Sequence, residues 1–395
     1  MRPVLALTAL LATAGCWRST GARSDGPVDL LVLAPHPDDE VLMAAGLLGR
    51  AVRDGKSVAV VLMTNGDYTC ARDGLLRQQE TIQAMRSLGV TEAQIHFLGY
   101  PDGYLPKLGE NPLPPIERRN PDGSCGRANT TLPARGAGHP DEHTRRTGVP
   151  APLTAKALLG DLTAVLERLQ PREVVLPHPI DEHPDHAATY AYFRRALEGL
   201  KRGPVTVHRS VVHQGNCWPG DCQVELSPES KVPLLPAPLE AYLPSERFPA
   251  DGRAKEALIA DYHSQTGPQL EQSWLASFAK ADEVFFPETL QRDDAGHWSS
   301  GPAQTLDGEG TRALQWCMGE ACRGYQVELD GTQLTLREAE GHVVRRWTAV
   351  DATKWTLEVR PGAGDFSEWS LSTPQGLVGV AVLPGAKGAL TSVER

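Results

Sequence analysis

Two short segments of the chain combine histidine and aspartate at spacings that suit metal binding. Residues 36–40 read HPDDE, and residues 181–186 read DEHPDH. Imidazole nitrogens and carboxylate oxygens are ligands of zinc, and a catalytic zinc site takes three of them and leaves one position open. Proline fixes φ and so stiffens both segments around their polar side chains. Together the two segments indicate a catalytic metal site.

The hydrophobic pattern predicts where these segments lie. A continuous apolar run at 28–34, VDLLVLA, predicts a buried parallel strand that leads into the first segment, and a run at 174–176 leads into the second. Ligands of α/β sheets bind beyond the carboxyl ends of the strands, so both segments are expected to converge on one point. The alternative is that Asp38 and Asp39 cap one helix and His186 starts the next. It explains only part of each segment.

Strands alternate with helices over the first half of the chain, which predicts an α/β fold. We expect a Rossmann-like, mostly parallel sheet with helices on both faces. The predicted strands are 28–34, 58–63, 95–98, 174–176 and 205–212, and the predicted helices are 41–53, 75–88, 158–169 and 187–200. Residues 101–152 hold ten prolines and seven glycines. This segment is predicted to be a loop insertion that is neither helix nor strand.

The C-terminal region has a different pattern. Short strand-like runs separated by glycine-rich turns predict an all-β, sandwich-like domain over 291–395, after an α/β domain over 28–290. Five of the eight tryptophans lie in this region. They suit either a hydrophobic core or a sugar-stacking face, and the core is favoured because buried aromatic side chains dominate cores.

Composition excludes several classes of protein. The 395 residues carry a formal net charge of -10, which argues against a nucleic-acid partner. The apolar run at 4–14 is too short for a membrane span and predicts a signal peptide over 1–15, followed by a linker at 16–27. Cleavage after ATA at 12–14 competes with lipidation of Cys16 in a TAGC segment that is similar to a bacterial lipobox. We therefore expect export, as a cell-envelope lipoprotein that meets the membrane only through Cys16, or else as a periplasmic or secreted protein.

The cysteine count agrees with export. Seven cysteines minus a lipidated Cys16 leave six, an even number that suits three disulfides in an oxidising compartment. The expected pairs are Cys70–Cys125, Cys217–Cys222 and Cys317–Cys322. A CxxxxC pair also suits zinc, but neither has a second pair nearby in the sequence.

These motifs resemble those of the PIG-L/LmbE-like family of zinc-dependent N-deacetylases. The similarity rests on APHPDDE and the later HPDH, and it extends to RQQETIQAMRSLGV, LGYPDG and KEALIADYHSQT. It covers residues 28 to 286 and leaves out the β-rich C-terminal region. The resemblance implies hydrolysis of an N-acetyl group on an amino sugar or glycoconjugate, with one Zn²⁺ per chain.

The resemblance also implies a role for each site residue. It assigns His36, Asp39 and His186 to zinc and makes Asp38 the general base that takes a proton from the attacking water. It assigns oxyanion stabilisation and protonation of the leaving amine to His183. The carboxylate of Asp185 is expected to orient His183 through a hydrogen bond.

Two further residues match family positions that bind substrate hydroxyls, Arg77 and Asp102. Alternatively, Arg77 and Glu80 form a surface pair at i,i+3 spacing, and Asp102-Gly103 forms a turn. Two competing functions also stay open: a zinc hydrolase acting on another amide, and a non-enzymatic sugar-binding lipoprotein. Release of acetate separates the first from a deacetylase. Loss of a ligand or of Asp38 would favour the second, and none is lost.

Overall fold

The structure is a computed structural model, and it describes residues 26–393 with gaps. The gaps are 118–125, 133–139, 216, 221–226, 238, 241–243, 245, 269, 271–272, 293–297, 301–302, 331–332, 349–352, 362–365, 375 and 386–387. In this described part, no helix is both long and apolar enough to span a membrane. The predicted signal peptide and Cys16 lie outside it.

The first part of the chain alternates strands and helices, as the sequence predicts. Its strands are β1 (Leu30–Ala34), β2 (Val58–Thr64), β3 (Ile95–Tyr100), β4 (Ile116–Glu117), β5 (Arg127–Ala128), β6 (Glu173–Pro177), β7 (Val205–Ser210), β8 (Glu246–Pro249), β9 (Asp282–Arg292) and β10 (Trp298–Ser299). Its helices are α1 (Asp39–Arg53), α2 (Ala71–Ser87), α3 (Glu142–Thr147), α4 (Ala155–Leu169), α5 (Pro184–Glu198), α6 (Gly252–Ala260) and α7 (His263–Thr266).

The main sheet has the order β10-β9-β7-β6-β1-β2-β3, and β8 also pairs with β9. The strands from β7 to β3 are parallel, whereas β9 runs antiparallel to β7. β1 and β6 are neighbours, so their carboxyl ends lie side by side. This adjacency brings the two polar segments to one edge of the sheet.

Alternate residues of the strands face two separate cores. Leu30 and Val32 pack on one side with α1, α2 and α6, whereas Leu31 and Leu33 pack on the other side with α4 and α5. A strand that is buried on both faces reads as a continuous apolar run, which explains the VDLLVLA pattern. The predicted Rossmann-like sheet with helices on both faces is confirmed.

The proline- and glycine-rich segment 101–152 differs from its prediction. It contains the helix α3 and the short antiparallel pair of β4 and β5. The side chain of Asp141 caps α3 by accepting a hydrogen bond from the backbone N–H of Thr144 at 3.0 Å. The capped turn stabilises a helix that is too short to show a hydrophobic period. Residues 118–125 and 133–139 of this segment are not described.

The C-terminal region is all β, as predicted. It contains β11 (Gln304–Glu309), β12 (Arg312–Met318), β13 (Ala321–Asp330), β14 (Gln333–Glu338), β15 (Val343–Thr348), β16 (Lys354–Pro361), β17 (Phe366–Thr373), β18 (Gly376–Pro384) and β19 (Ala389–Val393). These strands form two antiparallel sheets, with the orders β11-β16-β17-β18 and β15-β14-β13-β12-β19. Trp316, Trp355 and Trp369 are buried in the core that both sheets share. Trp298 instead belongs to the core of the α/β part.

The β domain packs firmly on the α/β part. Leu377 and Val380 of β18 join the core that contains α5. The guanidinium of Arg209 on β7 donates to both carboxylate oxygens of Glu368 on β17, at 2.8 and 2.9 Å. Both side chains are largely buried, so this ion pair belongs to the interior rather than to the surface.

One of the three expected disulfides is confirmed within the described residues, the bond between Cys317 and Cys322. It links facing positions of β12 and β13. Cys70 and Cys217 are also disulfide-bonded. Their expected partners, Cys125 and Cys222, lie outside the described residues, so these two pairings stay predictions.

The start of α4 offers a test of the fold itself. The side chain of Thr154 accepts a hydrogen bond from the backbone N–H of Ala157 at 3.1 Å and so caps this helix. We expect Thr154→Ala to lower the free energy of unfolding by about 1 kcal/mol, because an uncapped N–H remains. Urea denaturation of the full chain measures it. Thr154→Ser keeps the oxygen and should lose clearly less, and an equal loss would contradict the capping role.

Candidate metal centre

The first polar segment forms a tight, buried turn between β1 and α1. Asp38 adopts φ 126°, a conformation that is unfavourable for any residue other than glycine. Its backbone N–H donates to the carboxylate of Glu40 at 3.0 Å, and Glu40 in turn accepts a hydrogen bond from the hydroxyl of Tyr262. The turn is therefore held in a strained shape by a partner that lies far along the chain.

Three donor atoms from the two polar segments meet at one point. Asp39 Oδ2 lies 3.0 Å from His36 Nδ1 and 3.1 Å from His186 Nε2. The two imidazole nitrogens are 3.3 Å apart. The exposed fractions of these residues are small, at 6% for His36, 1% for Asp39 and 0% for His186. The structure thus brings together the three residues that the sequence predicts as metal ligands.

This triangle of donors fits a tetrahedral metal ion. Ligand atoms about 2.0–2.2 Å from zinc lie about 3.3–3.6 Å from one another at tetrahedral angles. The observed separations of 3.0 to 3.3 Å would reach these values if the donors moved apart by about 0.3 Å. Further sets of possible ligand atoms share residues with this triangle, and the atoms of each set lie within 4.8 Å of one another. These sets are His36, His183 and His186; Asp39, His186 and His213; and His36, Asp102 and Asp185.

The charge of the cluster also calls for a cation. Five buried carboxylates surround His36 and His186, the two histidines predicted to bind the metal, namely Asp38, Asp39, Asp102, Asp181 and Asp185. Arg77 contacts two of them. Burial opposes the charged imidazolium of His186, but Asp181 and Asp39 outweigh burial and raise its pKa to about 10. A bound metal ion would supply the positive charge that these protonated imidazoles otherwise provide.

His186 has a carboxylate partner at Nδ1, the ring nitrogen that does not belong to the triangle. Its Nδ1 lies 3.2 Å from Oδ2 of Asp181, a contact that falls short of hydrogen-bond geometry. A proton on Nδ1 would be stabilised there, and Nε2 would then be free to bind a metal. Asp181 is a buried partner of a predicted ligand that the sequence analysis did not single out, although it begins the DEHPDH segment.

Asp38 and Asp102 are joined by Arg77. Nη2 of Arg77 donates to Asp38 Oδ2 at 3.0 Å, and Nη1 donates to Asp102 Oδ2 at 3.4 Å. Burial, together with the charge of Asp39, raises the pKa of Asp38 to about 7, although Arg77 opposes this shift. Arg77 is only 8% exposed. The alternative of a surface pair with Glu80 is therefore wrong.

His183 lies beside both ligand histidines. Its ring centroid is 4.6 Å from that of His36 and 5.0 Å from that of His186. Burial and these two imidazoles lower the pKa of His183 to about 4, so the ring is neutral at pH 7. Nδ1 of His183 accepts a hydrogen bond from the backbone N–H of Asp185 at 3.2 Å, which caps α5. The ring proton therefore sits on Nε2, which is a donor.

The expected role of Asp185 needs a correction. Its carboxylate does not orient His183; it lies 3.1 Å from Nε2 of His36 and accepts hydrogen bonds from the backbone N–H groups of Gly103 and Leu105, at 2.6 and 3.1 Å. Proline at position 184 starts α5, and the helix then turns the Asp185 side chain away from His183 and towards His36. Asp185 reaches His183 only through its own backbone N–H.

His178 and His213 lie in different surroundings. The ring of His213 stacks on Trp274, with centroids 4.8 Å apart, and lies 4.8 Å from the ring of His186. His178 is fully buried, and its Nδ1 accepts from the backbone N–H of Ile180 at 3.1 Å. His213 therefore borders the candidate centre, whereas His178 supports the structure behind it.

One comparison with known proteins finds a match over the part of the chain that contains the site. Residues 31–197 match the family model PIG-L, described as GlcNAc-PI de-N-acetylase. No curated protein is significantly similar to the chain. A conserved protein from Thermus thermophilus is 25% identical, with 60% of this chain and 80% of that one covered and a TM-score of 0.35.

Two deacetylase structures are also similar. N,N'-diacetylchitobiose deacetylase from Pyrococcus horikoshii is 18% identical, with coverage of 65% of this chain and 82% of that one and a TM-score of 0.40. The zinc-inhibited form of teicoplanin deacetylase Orf2 is 20% identical, with coverage of 67% and 99% and a TM-score of 0.38. These TM-scores are low, so the residues of the site and the family model carry the functional conclusion.

Proposed function

Because residues 31–197 form a PIG-L domain of the deacetylase type, we propose that this chain is a zinc-dependent N-deacetylase. The substrate would be an N-acetylated amino sugar, free or within a glycoconjugate. The observation that carries the proposal is the triangle of His36 Nδ1, Asp39 Oδ2 and His186 Nε2, with sides of 3.0 to 3.3 Å. It combines two imidazole nitrogens with one carboxylate oxygen, a ligand set of catalytic zinc sites.

These three side chains would hold one zinc ion. When bound, zinc would polarise the amide carbonyl and make water more acidic. Other side chains of the site would perform the remaining steps, which are proton transfer and stabilisation of the developing negative charge. Ligand binding and proton transfer fall to neighbouring but different side chains, because consecutive residues of the strained turn at Asp38 and Asp39 point in different directions.

Asp38 is suited to act as the general base. A base works best when its pKa is close to the operating pH, and burial beside Asp39 raises the pKa of Asp38 to about 7. Arg77 holds one carboxylate oxygen of Asp38 at 3.0 Å and leaves the second oxygen for the attacking water. The positive φ of Asp38 would fix the direction of this side chain at a cost of about 1–3 kcal/mol.

His183 is suited to stabilise developing negative charge. Its neutral ring carries the proton on Nε2, because Nδ1 accepts from the backbone of Asp185. A fixed donor that faces the oxyanion typically contributes about 10²–10³ to the rate. A neutral imidazole does not give up this proton, so the leaving nitrogen would take the proton that Asp38 receives from the attacking water. Asp102, tied to Arg77 and to Nε2 of His36, borders the same space and would contact substrate hydroxyls.

The proposal is tested by a screen for acetate release. Zinc-loaded protein is incubated with N-acetylated sugars and with N-acetylated amides that contain no sugar. We expect acetate and a free amine from an amino sugar, and release that is slower by about 10²–10⁴-fold with Asp38→Asn under the same conditions. Release only from non-sugar amides would favour the alternative zinc hydrolase, and sugar binding without release would favour a binding protein.

We also propose that the protein is exported and anchored through lipid on Cys16. The TAGC segment and the odd number of cysteines support this. In a bacterial host, Cys16→Ala should move the protein from the membrane fraction to the soluble exported fraction. Mass spectrometry of the wild-type N-terminus is the direct measurement. A mature chain that starts at Gly15 with unmodified Cys16 would exclude the anchor.

A further inference from the structure

We infer that Arg345, a residue of the C-terminal β domain, is a positioning residue for the metal ligand His186 and acts through the turn at Asp181. The inference rests on the proposed metal site. It gives the β domain a role in zinc binding, although this domain lies outside the family match at residues 31–197. The contacts that carry it run from β15 through Asp181 to His186.

Asp181 connects Arg345 to His186. Its side chain is fully buried. Oδ2 accepts hydrogen bonds from the backbone N–H groups of Val212 and His213, at 2.7 and 3.0 Å, and Oδ1 accepts from the backbone N–H of His183 at 3.0 Å. The same Oδ2 lies 3.2 Å from Nδ1 of His186. One carboxylate therefore fixes the backbone around the second polar segment and faces the far side of a metal ligand.

Arg345 contacts the backbone of Asp181. Its Nη2 donates to the main-chain oxygen of Asp181 at 3.3 Å. The guanidinium also lies in the field of the Asp181 and Glu182 carboxylates, which counteract the effect of burial on its pKa. A shift of the main chain at Asp181 moves the carboxylate attached to it. Arg345 consequently restrains the group that faces His186 without touching the metal ligands.

The β domain is fixed well enough to hold Arg345 in place. Another polar contact of this domain is the ion pair of Glu368 with Arg209, and Glu368 also lies 3.8 Å from Nε2 of the buried His178. Arg345 and Glu368 come from different sheets of the sandwich, on β15 and β17. Both sheets thus contact the carboxyl ends of β6 and β7. Leu377 and Val380 of β18, which lie in the core that contains α5, hold the domain at a further point.

The test measures zinc affinity of the full chain by competition with a chelator, together with the unfolding midpoint. Removing an outer partner of a metal ligand typically costs about 10–100-fold in affinity. Arg345 contacts Asp181 rather than His186 itself, so we expect Arg345→Ala to weaken zinc binding by only about 3–10-fold. Asp181→Asn should weaken zinc binding by about 10–100-fold. Arg345→Lys, which keeps a donor and the charge, should recover most of the affinity.

The matched control is Arg346→Ala. Arg346 is the next residue of β15, is exposed, and projects from the opposite face of the strand. This variant removes the same charge and should keep wild-type zinc affinity. The double variant of Arg345→Ala with Asp181→Asn should lose less than the product of the two single losses, because both act on one ligand.

The outcomes separate this inference from the proposed function. Failure of the wild-type protein to bind zinc would overturn the proposed function itself. Wild-type affinity in folded Arg345→Ala would overturn the inference alone. If Arg345→Ala does not fold, Arg345→Met, which has a long side chain without a hydrogen-bond donor, decides in the same way. Equal affinities of Arg345→Met, Arg346→Ala and wild type would overturn the inference.

Discussion

The variant Asp38→Asn is expected to keep its zinc and lose about 10²–10⁴-fold in turnover, because general-base catalysis typically contributes that much. Asparagine has nearly the same shape as aspartate and tolerates the positive φ of 126° at this position better than alanine does. The loss can therefore be assigned to the missing base. The measurements are zinc content by elemental analysis and the rate of acetate release.

Asp39→Ala is the matched comparison, because it removes the neighbouring carboxylate. This variant loses a donor of the triangle and should lose zinc as well as activity. If Asp38→Asn lost zinc as completely as Asp39→Ala, the division of roles between the two carboxylates would be wrong. Near-normal turnover of Asp38→Asn would refute the hydrolytic mechanism.

Replacing Arg77 by methionine should destabilise the protein by about 3–5 kcal/mol, because the buried carboxylates of Asp38 and Asp102 would lose the cation they share. Arg86→Met is the matched control. It changes an exposed arginine on the same helix, α2, and should alter the free energy of unfolding by less than about 0.5 kcal/mol. Denaturant unfolding of both variants in zinc-free buffer measures the difference.

The conservative variant Arg77→Lys distinguishes the two roles available to this residue. Lysine keeps the charge but cannot span two carboxylates as the guanidinium does. If Arg77 chiefly positions Asp38, kcat should fall by up to about 10²-fold while KM stays nearly constant. A rise in KM at constant kcat would instead assign Arg77 to direct substrate binding, as the family resemblance implies.

Sequence reasoning located the two polar segments because their positions depend on local features. HPDDE follows a continuous apolar run, which is typical of a strand buried on both faces, and HPDH contains the proline that starts α5. The order of strands and helices then implied that the carboxyl ends of β1 and β6 meet. Each step uses a pattern that is only a few residues long.

The partners of these segments could not be predicted in the same way. Glu40 accepts a hydrogen bond from Tyr262, and the main-chain oxygen of Asp181 accepts one from Arg345 of the β domain. Both contacts therefore depend on the tertiary fold rather than on the spacing of residues in the sequence. The direction of the Asp185 side chain depends on the turn before α5. Within the described residues, strand β9 follows the short helices α6 and α7 rather than a long crossover helix such as α4 or α5. Its antiparallel pairing with β7 therefore has no local signature.

The late position of β9 in the chain has a consequence for biosynthesis. A nascent chain that ends near residue 200 already contains every residue of the family match at 31–197, but β7 and β9 have not yet been made. At that stage the unpaired edge of β6 exposes a row of N–H and C=O groups, which pair readily with strands of other chains. Premature termination or proteolysis in this region would release an aggregation-prone fragment. Heterologous production thus depends on residues far beyond the metal centre.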